Sequence, residues 1–473
     1  MRDRADGDGT PREVEVVDRP KLRRTVGGTA VGNFMEWYDF GVYGFLATTL
    51  SSVFFPAGSG LAMVATFGAF AVSFLVRPLG GFVFGPLADK IGRKRVLTIT
   101  IGMMAASTTA LGVLPGYAAI GPWAVVLLFV VRAVQGFSTG GEYVDAMVYI
   151  NEHAPDRRRG FWASWLPVGT LTGYVAGSGL VTGLTALLGQ ETMLAWGWRV
   201  PFLTAALIGI VGVYIRRQLD ESPAFEQQDD SGAASGRSRF RRTVIDQRRP
   251  LLIVIGLVMA INVAVYTLTG YLPTYLTTAV GIGDTAALLL ILIVQAILLL
   301  LVTQVARLTD KVGRRPVMLV GSGLMLAGAV PAYLLMGRGA YLPVFGGVLL
   351  IGLMALTFFA GEPSTLPALF PTEVRGGAVA VGYNISVSAF GGTTPLIAES
   401  LVTATGHTLF PAYWLMFAGA VGAIAVWFVR EPAGRPLPGT RPTAETEEEA
   451  RRRAGASEPG TDPDAAGRAG HGS

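Results

Sequence analysis

PLADKIGRKRV, residues 86–96, and RLTDKVGRRPV, residues 307–317, are one short text written twice in the same chain. Leu, Asp, Lys, Gly, Arg and Val hold matching places in both. Each copy links two apolar runs of about twenty residues, the length that crosses a hydrocarbon core. Working outward, such runs fall near 27–53, 61–87, 96–114, 122–150, 161–187 and 198–217, then near 251–277, 285–308, 317–336, 341–370, 376–403 and 411–429. Each copy therefore sits between the second and third runs of a set of six. Gly141–Glu142 in the fourth run of the first set is echoed by Gly361–Glu362 in the fourth run of the second.

The pattern predicts an all-α membrane protein with twelve transmembrane helices in two six-helix pseudo-symmetric halves. The first half covers 27–217 and the second 250–430, joined by a polar linker at 218–249. A charged arm (1–26) and a tail (431–473) rich in Pro, Gly, Arg and Glu read as disordered. GRKR (92–95), DRRRG (156–160), the linker and GRR (313–315) carry the basic loops, while Arg199 and Arg338 are the main cations on the other side. The excess of positive loops places that side, and both termini, in the cytoplasm. Two parallel halves suggest alternating access around a site between them.

Composition excludes several classes. With 51% hydrophobic residues, 15% charged residues and 62 glycines, the chain suits closely packed membrane helices. No cysteine is present, so thiol chemistry and disulfides are excluded. His153, His407 and His471 are scattered, and neither a metal site nor a cofactor is expected. The basic residues form no continuous patch, which argues against nucleic acid as a partner. No phosphate-binding G-x-x-x-x-G-K-[ST] loop and no H-E-x-x-H occurs. GFSTG (136–140) matches the nucleophile elbow of hydrolases, but inside an apolar run its glycines suit close helix packing instead, and no enzyme is expected.

The gate loops, with RAVQGFSTGGE (132–142), resemble the signature motifs of the major facilitator superfamily, itself a standard example of paired six-helix halves. GNFMEWYDFGVYGF (32–45), FLVRPLGG (74–81) and PDRRRGFWASW (155–165) narrow the resemblance to its metabolite:proton symporters. WGWRVPF (196–202), ESPAFEQ (221–227), STLPALFPTEVR (364–375) and YNISVSAFGGTTP (383–395) bring it nearest to proline/betaine transporters. The resemblance implies the major facilitator fold and proton-coupled import of a small metabolite or osmolyte across the plasma membrane by a monomer. Organic-acid symport is the alternative, and proton-coupled export the next. It also implies that Asp89 with Arg93, and Asp310 with Arg314, latch the cytoplasmic gate. An exposed pair of this kind contributes only about 0–1 kcal/mol, suitable for a contact that breaks in every cycle. Two departures stand out: Asp145 is added in span four, and Pro167 replaces an acid usual in span five. The tail lacks the sustained heptads of the osmosensing members.

Glu36 and Asp39 lie in the middle of an apolar, aromatic stretch. Residues three apart share a helix face, so both are expected to point inward. A bare carboxylate at the bilayer centre costs about 2.5–3.5 kcal/mol or more, so such acids mark function or permanent ion pairs, and both readings stay open. Glu142 and Asp145 repeat the spacing, Arg77 and Arg132 supply cations, and Glu362 precedes a helix-kinking Pro363. These seven residues are the candidates for proton coupling or substrate binding. Glu399 reads as a solvated rim residue. Tyr38, Tyr143, Trp162, Trp165 and Tyr266 are expected to line the site, with Trp37, Tyr43, Tyr271 and Tyr275 further candidates, because aromatic faces attract quaternary ammonium groups.

Overall fold

The computed structural model describes residues 14–91, 93–139, 142–218 and 241–455. Nearly all of them are helical. In the first half the chain runs through Arg19–Phe45 continued by Ala47–Phe54, Ala62–Leu75 continued by Arg77–Ile91, Arg93–Val113, Pro122–Ser138 with Glu142–His153, Trp165–Thr192, and Arg199–Gln218. The second half repeats the order with Arg248–Tyr266 and Leu272–Thr278, Asp284–Val312, Arg314–Met336, Tyr341–Thr365, Arg375–Ser386 with Thr393–Thr405, and Phe410–Phe428. Among the described residues, nine helical stretches are long and apolar enough to cross a membrane. The passages 19–54, 93–113 and 199–218 stand in the same bundle without meeting that standard.

Small residues bring the helices together. A Cβ on Gly136 would collide with the Ser73 carbonyl, and one on Gly80 with the Phe137 carbonyl, so the second and fourth passages touch backbone to backbone. A Cβ on Gly173 would lie 2.6 Å from the Phe34 carbonyl oxygen, joining the first and fifth passages in the same way. Ser138 is buried and donates to the Gln135 carbonyl of its own helix at 2.6 Å, so GFSTG is a packing element here. Outward faces carry large apolar residues such as Leu300, Ile210 and Trp427, as lipid contact requires.

The halves meet at both ends. Near mid-depth the Ser388 hydroxyl donates to the Phe74 carbonyl at 2.7 Å and Ser178 donates to Gln295 at 2.8 Å. Nearer the loops opposite the basic face, the Phe67 and Tyr271 rings lie 6.2 Å apart and Gly44 packs against the Thr269 carbonyl. The Ser388–Phe74 contact lies beside irregular turns, at Val76 in the second passage and at Val387–Gly391 in the eleventh, where the helical ladder loosens. On the basic face, Asn151 Nδ2 donates to the Pro363 carbonyl at 2.9 Å and Arg375 pairs with Glu152 at 2.6 Å. The centre is thus enclosed from both sides.

Residues 14–26 of the arm and 431–455 of the tail take defined positions where the sequence suggests disorder. Glu15–Val16 pairs in parallel with Thr443–Ala444. The tail then fastens to both halves across the basic face. Asp156 accepts from Thr443 N at 3.1 Å and from Arg453 at 2.9 Å, and Arg158 binds Glu445 at 2.8 Å. Glu431 accepts the backbone N–H groups of Arg314 and Arg315 at 3.0 and 2.9 Å, capping that helix start, and Arg375 donates to the Pro438 carbonyl at 2.6 Å. The segment has few apolar residues, but its acids and carbonyls find arginines and orphan helix N–H groups. Residues 1–13, 219–240 and 456–473 lie outside the described residues.

Candidate functional site

The two acids of the opening helix are both buried, yet they belong to different networks. Glu36 pairs with Arg77, whose Nε donates to Thr139 Oγ1 at 2.9 Å. The Arg77 guanidinium lies over Phe40 and Phe74, 5.1 and 5.2 Å from their ring centres. Asp39 turns to another neighbour, accepting from Thr108 Oγ1 at 2.8 Å. Gln135 donates to the same hydroxyl at 2.8 Å and accepts from Arg132, which donates onward to Ser73 Oγ at 2.8 Å. Arg132 is wholly buried, 4.2 Å from the Tyr43 ring centre, while the Tyr43 hydroxyl donates to the Thr66 carbonyl at 2.9 Å. Thus Asp39 reaches Arg132 only through a threonine and a glutamine. Thr108, Gln135, Thr139 and Ser73 escape a reading that looks for charge, since neutral residues in apolar helices look like filler.

Next to Glu36, Trp37 anchors an aromatic cluster shared by both halves. Its indole N–H donates to Asn33 Oδ1 at 2.7 Å, and Asn33 is held by the Leu166 carbonyl and Thr170. Around it stand Tyr174, Tyr266 and Tyr143, with ring centres 5.6, 6.1 and 6.3 Å away. Tyr143 of the first half stacks on Tyr383 of the second at 5.1 Å, and Tyr266 meets Phe74 edge-on at 5.1 Å. The buried Tyr266 hydroxyl has no hydrogen-bond partner among the described residues. Tyr143 and Tyr266 therefore stand where the sequence suggests, and Tyr174 and Tyr383 join them.

Other candidates lie elsewhere. Tyr38 points away from the cluster, its hydroxyl 2.6 Å from Thr204 Oγ1 and donating to the Pro201 carbonyl at 3.0 Å. A helix turns about 100° per residue, so position 38 faces roughly opposite to position 36. Trp162 is buried against Phe161 near the basic face, and Trp165 is 37% exposed; neither lines the cluster. Tyr271 and Tyr275 form a separate group with Phe67 and Tyr333. Asp145, the acid added in span four, is exposed. Pro167 sits in the first turn of Trp165–Thr192, where a missing N–H costs no ladder bond. Glu399 is half-buried and accepts from Thr403 at 3.4 Å. Glu362 is buried on the second half with no cation beside it.

At the basic face, Asp310 reaches across the halves. Its two oxygens accept from the backbone N–H groups of Gly160 and Phe161, both at 2.8 Å, at the start of Arg159–Ala163. Arg314 is 3.7 Å from the same carboxylate and donates to the Ser364 carbonyl at 3.0 Å. The expected exposed ion pair is instead a buried carboxylate bound chiefly to a helix N-terminus, favourable because those N–H groups are orphans. The side chains of Asp89, Arg93 and Glu142 lie outside the described residues. Among the described residues, no cluster of His, Asp and Glu has metal-binding geometry.

The family model for the Major Facilitator Superfamily matches residues 29–386. The chain is 43% identical over 458 residues to an ectoine/proline transporter of Corynebacterium glutamicum, covering 93% of this chain and 90% of that one. It is 41% identical over 451 residues to a proline/betaine transporter of Escherichia coli, with 93% and 90% covered. A glycine betaine/proline/ectoine/pipecolic acid transporter of Dickeya dadantii is 41% identical over 448 residues, with 93% and 89% covered. Among solved structures, a xylose transporter of E. coli in a partially occluded inward-open conformation superposes with a TM-score of 0.69 at 17% identity, covering 88% of this chain and 99% of that one. That likeness shows the fold.

Proposed function

Because the chain belongs to the major facilitator superfamily, we propose that it is a proton-coupled carrier importing a small zwitterion such as proline or glycine betaine. The observation that carries this reading is the aromatic cluster of Trp37, Tyr143, Tyr174, Tyr266 and Tyr383, closed between the halves beside the Glu36–Arg77 pair. Ring faces suit a methylated or secondary ammonium, and the net-neutral Glu36–Arg77 pair suits a substrate whose own charges sum to zero. The relatives' names point to the same substrates. A citrate or 2-oxoglutarate carrier would need cations with charge to spare; here Arg77 already holds Glu36, and Arg132 lies under Tyr43 away from the cluster.

In this reading all twelve helical passages span the plasma membrane and the basic face, with both termini, lies in the cytoplasm. The protein acts as a monomeric carrier rather than an enzyme. Asp310, with Arg314, serves as part of the inner gate, and Asp89 and Arg93 are assigned the matching role in the first half. A proton entering down 100 mV supplies about 2.3 kcal/mol, enough for roughly fifty-fold accumulation of a neutral zwitterion.

The test is uptake by purified protein in proteoliposomes, comparing proline, glycine betaine, citrate and 2-oxoglutarate while recording lumenal pH. Acidification with proline or betaine, lost in Trp37→Ala, is the expected result. A response only to the organic acids overturns the substrate, and alkalinisation overturns import.

A further inference from the structure

Glu362 differs from every other buried acid described in the chain. Glu36 has Arg77, Asp39 has Thr108, Asp310 has two backbone N–H groups and Arg314, and Asp156 has Arg159, Arg453 and Thr443. Glu362 is 1% exposed and, among the described residues, makes no ion pair, and its Oε1 accepts no hydrogen bond. A carboxylate in that setting has lost water and gained no counter-charge among the described residues, which is costly.

Its neighbours tie it to the gate. The carbonyl of the next residue, Pro363, accepts from Asn151 of the first half at 2.9 Å. The stacked Tyr143–Tyr383 pair, one ring from each half, joins the same Glu142–His153 helix to the second half. The nearby cations are engaged elsewhere: Arg314 with Ser364 and Asp310, Arg159 with Asp156, Arg375 with Glu152. On Glu142–His153, Asp145 is exposed and Glu152 is held by Arg375. Opening the basic face must part Asn151 from Pro363 and Tyr143 from Tyr383, and would admit water to this carboxyl.

We propose that Glu362 is the coupling carboxyl, carrying the transported proton through the enclosed state and releasing it on the basic-face side when the inner gate opens. This rests on the proton-coupled reading above. In the release step the O–H bond of the acid breaks, its electron pair stays on the carboxylate, and a water molecule takes the proton. During return of the empty carrier the carboxylate needs a cation. Once the inner gate parts, Arg314, released from Asp310 and already bonded to the carbonyl of Ser364 two residues on, is suited to that role.

The test separates exchange from driven uptake. In proteoliposomes holding Glu362→Gln, exchange of labelled for unlabelled proline across an equilibrated membrane is expected within about threefold of the wild type. Proton-driven accumulation and substrate-induced acidification should fall at least tenfold. Glu362→Asp should keep coupling, with the pH midpoint of uptake displaced. Preserved acidification in Glu362→Gln overturns the assignment, as does equal loss of exchange and accumulation in folded protein, which marks a structural role. Should Glu362→Gln fail to fold, an unchanged pH profile in Glu362→Asp overturns it. A wild type that takes up substrate without moving protons defeats the proton-coupled reading itself, and this inference with it.

Discussion

Replacing Asp310 with asparagine tests how the basic face stays shut. The carboxylate accepts two backbone N–H groups of the opposite half at 2.8 Å, with Arg314 at 3.7 Å. Asparagine keeps one acceptor oxygen and turns an amide NH2 toward the other N–H. One charge-assisted bond is lost and the second loses its charge, a combined cost of about 2 kcal/mol. That cost falls only on the closed arrangement, because the contact joins the two halves. The ratio of closed to open molecules should then fall roughly thirtyfold. The absence of cysteine makes the assay clean: Ser364→Cys introduces the sole thiol at a wholly buried site near this gate. Its alkylation rate should rise about thirtyfold when Asp310→Asn is added. A change smaller than about threefold, in protein of unchanged melting temperature, would refute Asp310 as a gate contact.

Three further outcomes are expected. Glu36→Gln leaves the Arg77 guanidinium buried without its counter-charge and should lower stability by about 3 kcal/mol, seen in thermal unfolding, whereas Glu36→Gln combined with Arg77→Met should recover part of that loss. Gly136→Ala drives a methyl into the Ser73 carbonyl and should cost about 1–3 kcal/mol, while Gly102→Ala, with nothing within 4 Å of the new methyl, should be neutral or slightly stabilising. Asp156→Ala deprives Thr443, Arg159 and Arg453 of a shared partner; limited proteolysis should then cleave the 431–455 segment several-fold faster, and an unchanged rate would mean that the tail is held by Glu431 and Glu445 alone.

The sequence by itself determined the membrane class, the paired halves and the family. Those features rest on local regularities: apolar runs long enough for a bilayer, breaks set by charge, and a gate motif written twice. It also placed Glu36, Asp39, Arg77 and Arg132 in the interior, since a charge within an apolar run has nowhere else to go without heavy cost. Tyr143 and Tyr266 were legible as aromatic residues able to offer ring faces to an ammonium group.

Only the tertiary structure decided which partner each of these groups has. Glu36 and Asp39 share a helix face yet diverge, one to Arg77 on the second passage and the other to Thr108 on the third. Trp37 rather than Tyr38 enters the central cluster because Tyr38 finds Pro201 and Thr204 on the opposite side of its helix. Trp165 and Asp145 are exposed, although their neighbours in sequence are buried. Asp156 and Thr443, 287 positions apart, turn an expected disordered tail into a strap. Spacing along a chain settles which residues enter the bilayer. A buried polar group, however, must be satisfied by whatever the fold brings beside it, and those partners are remote in sequence.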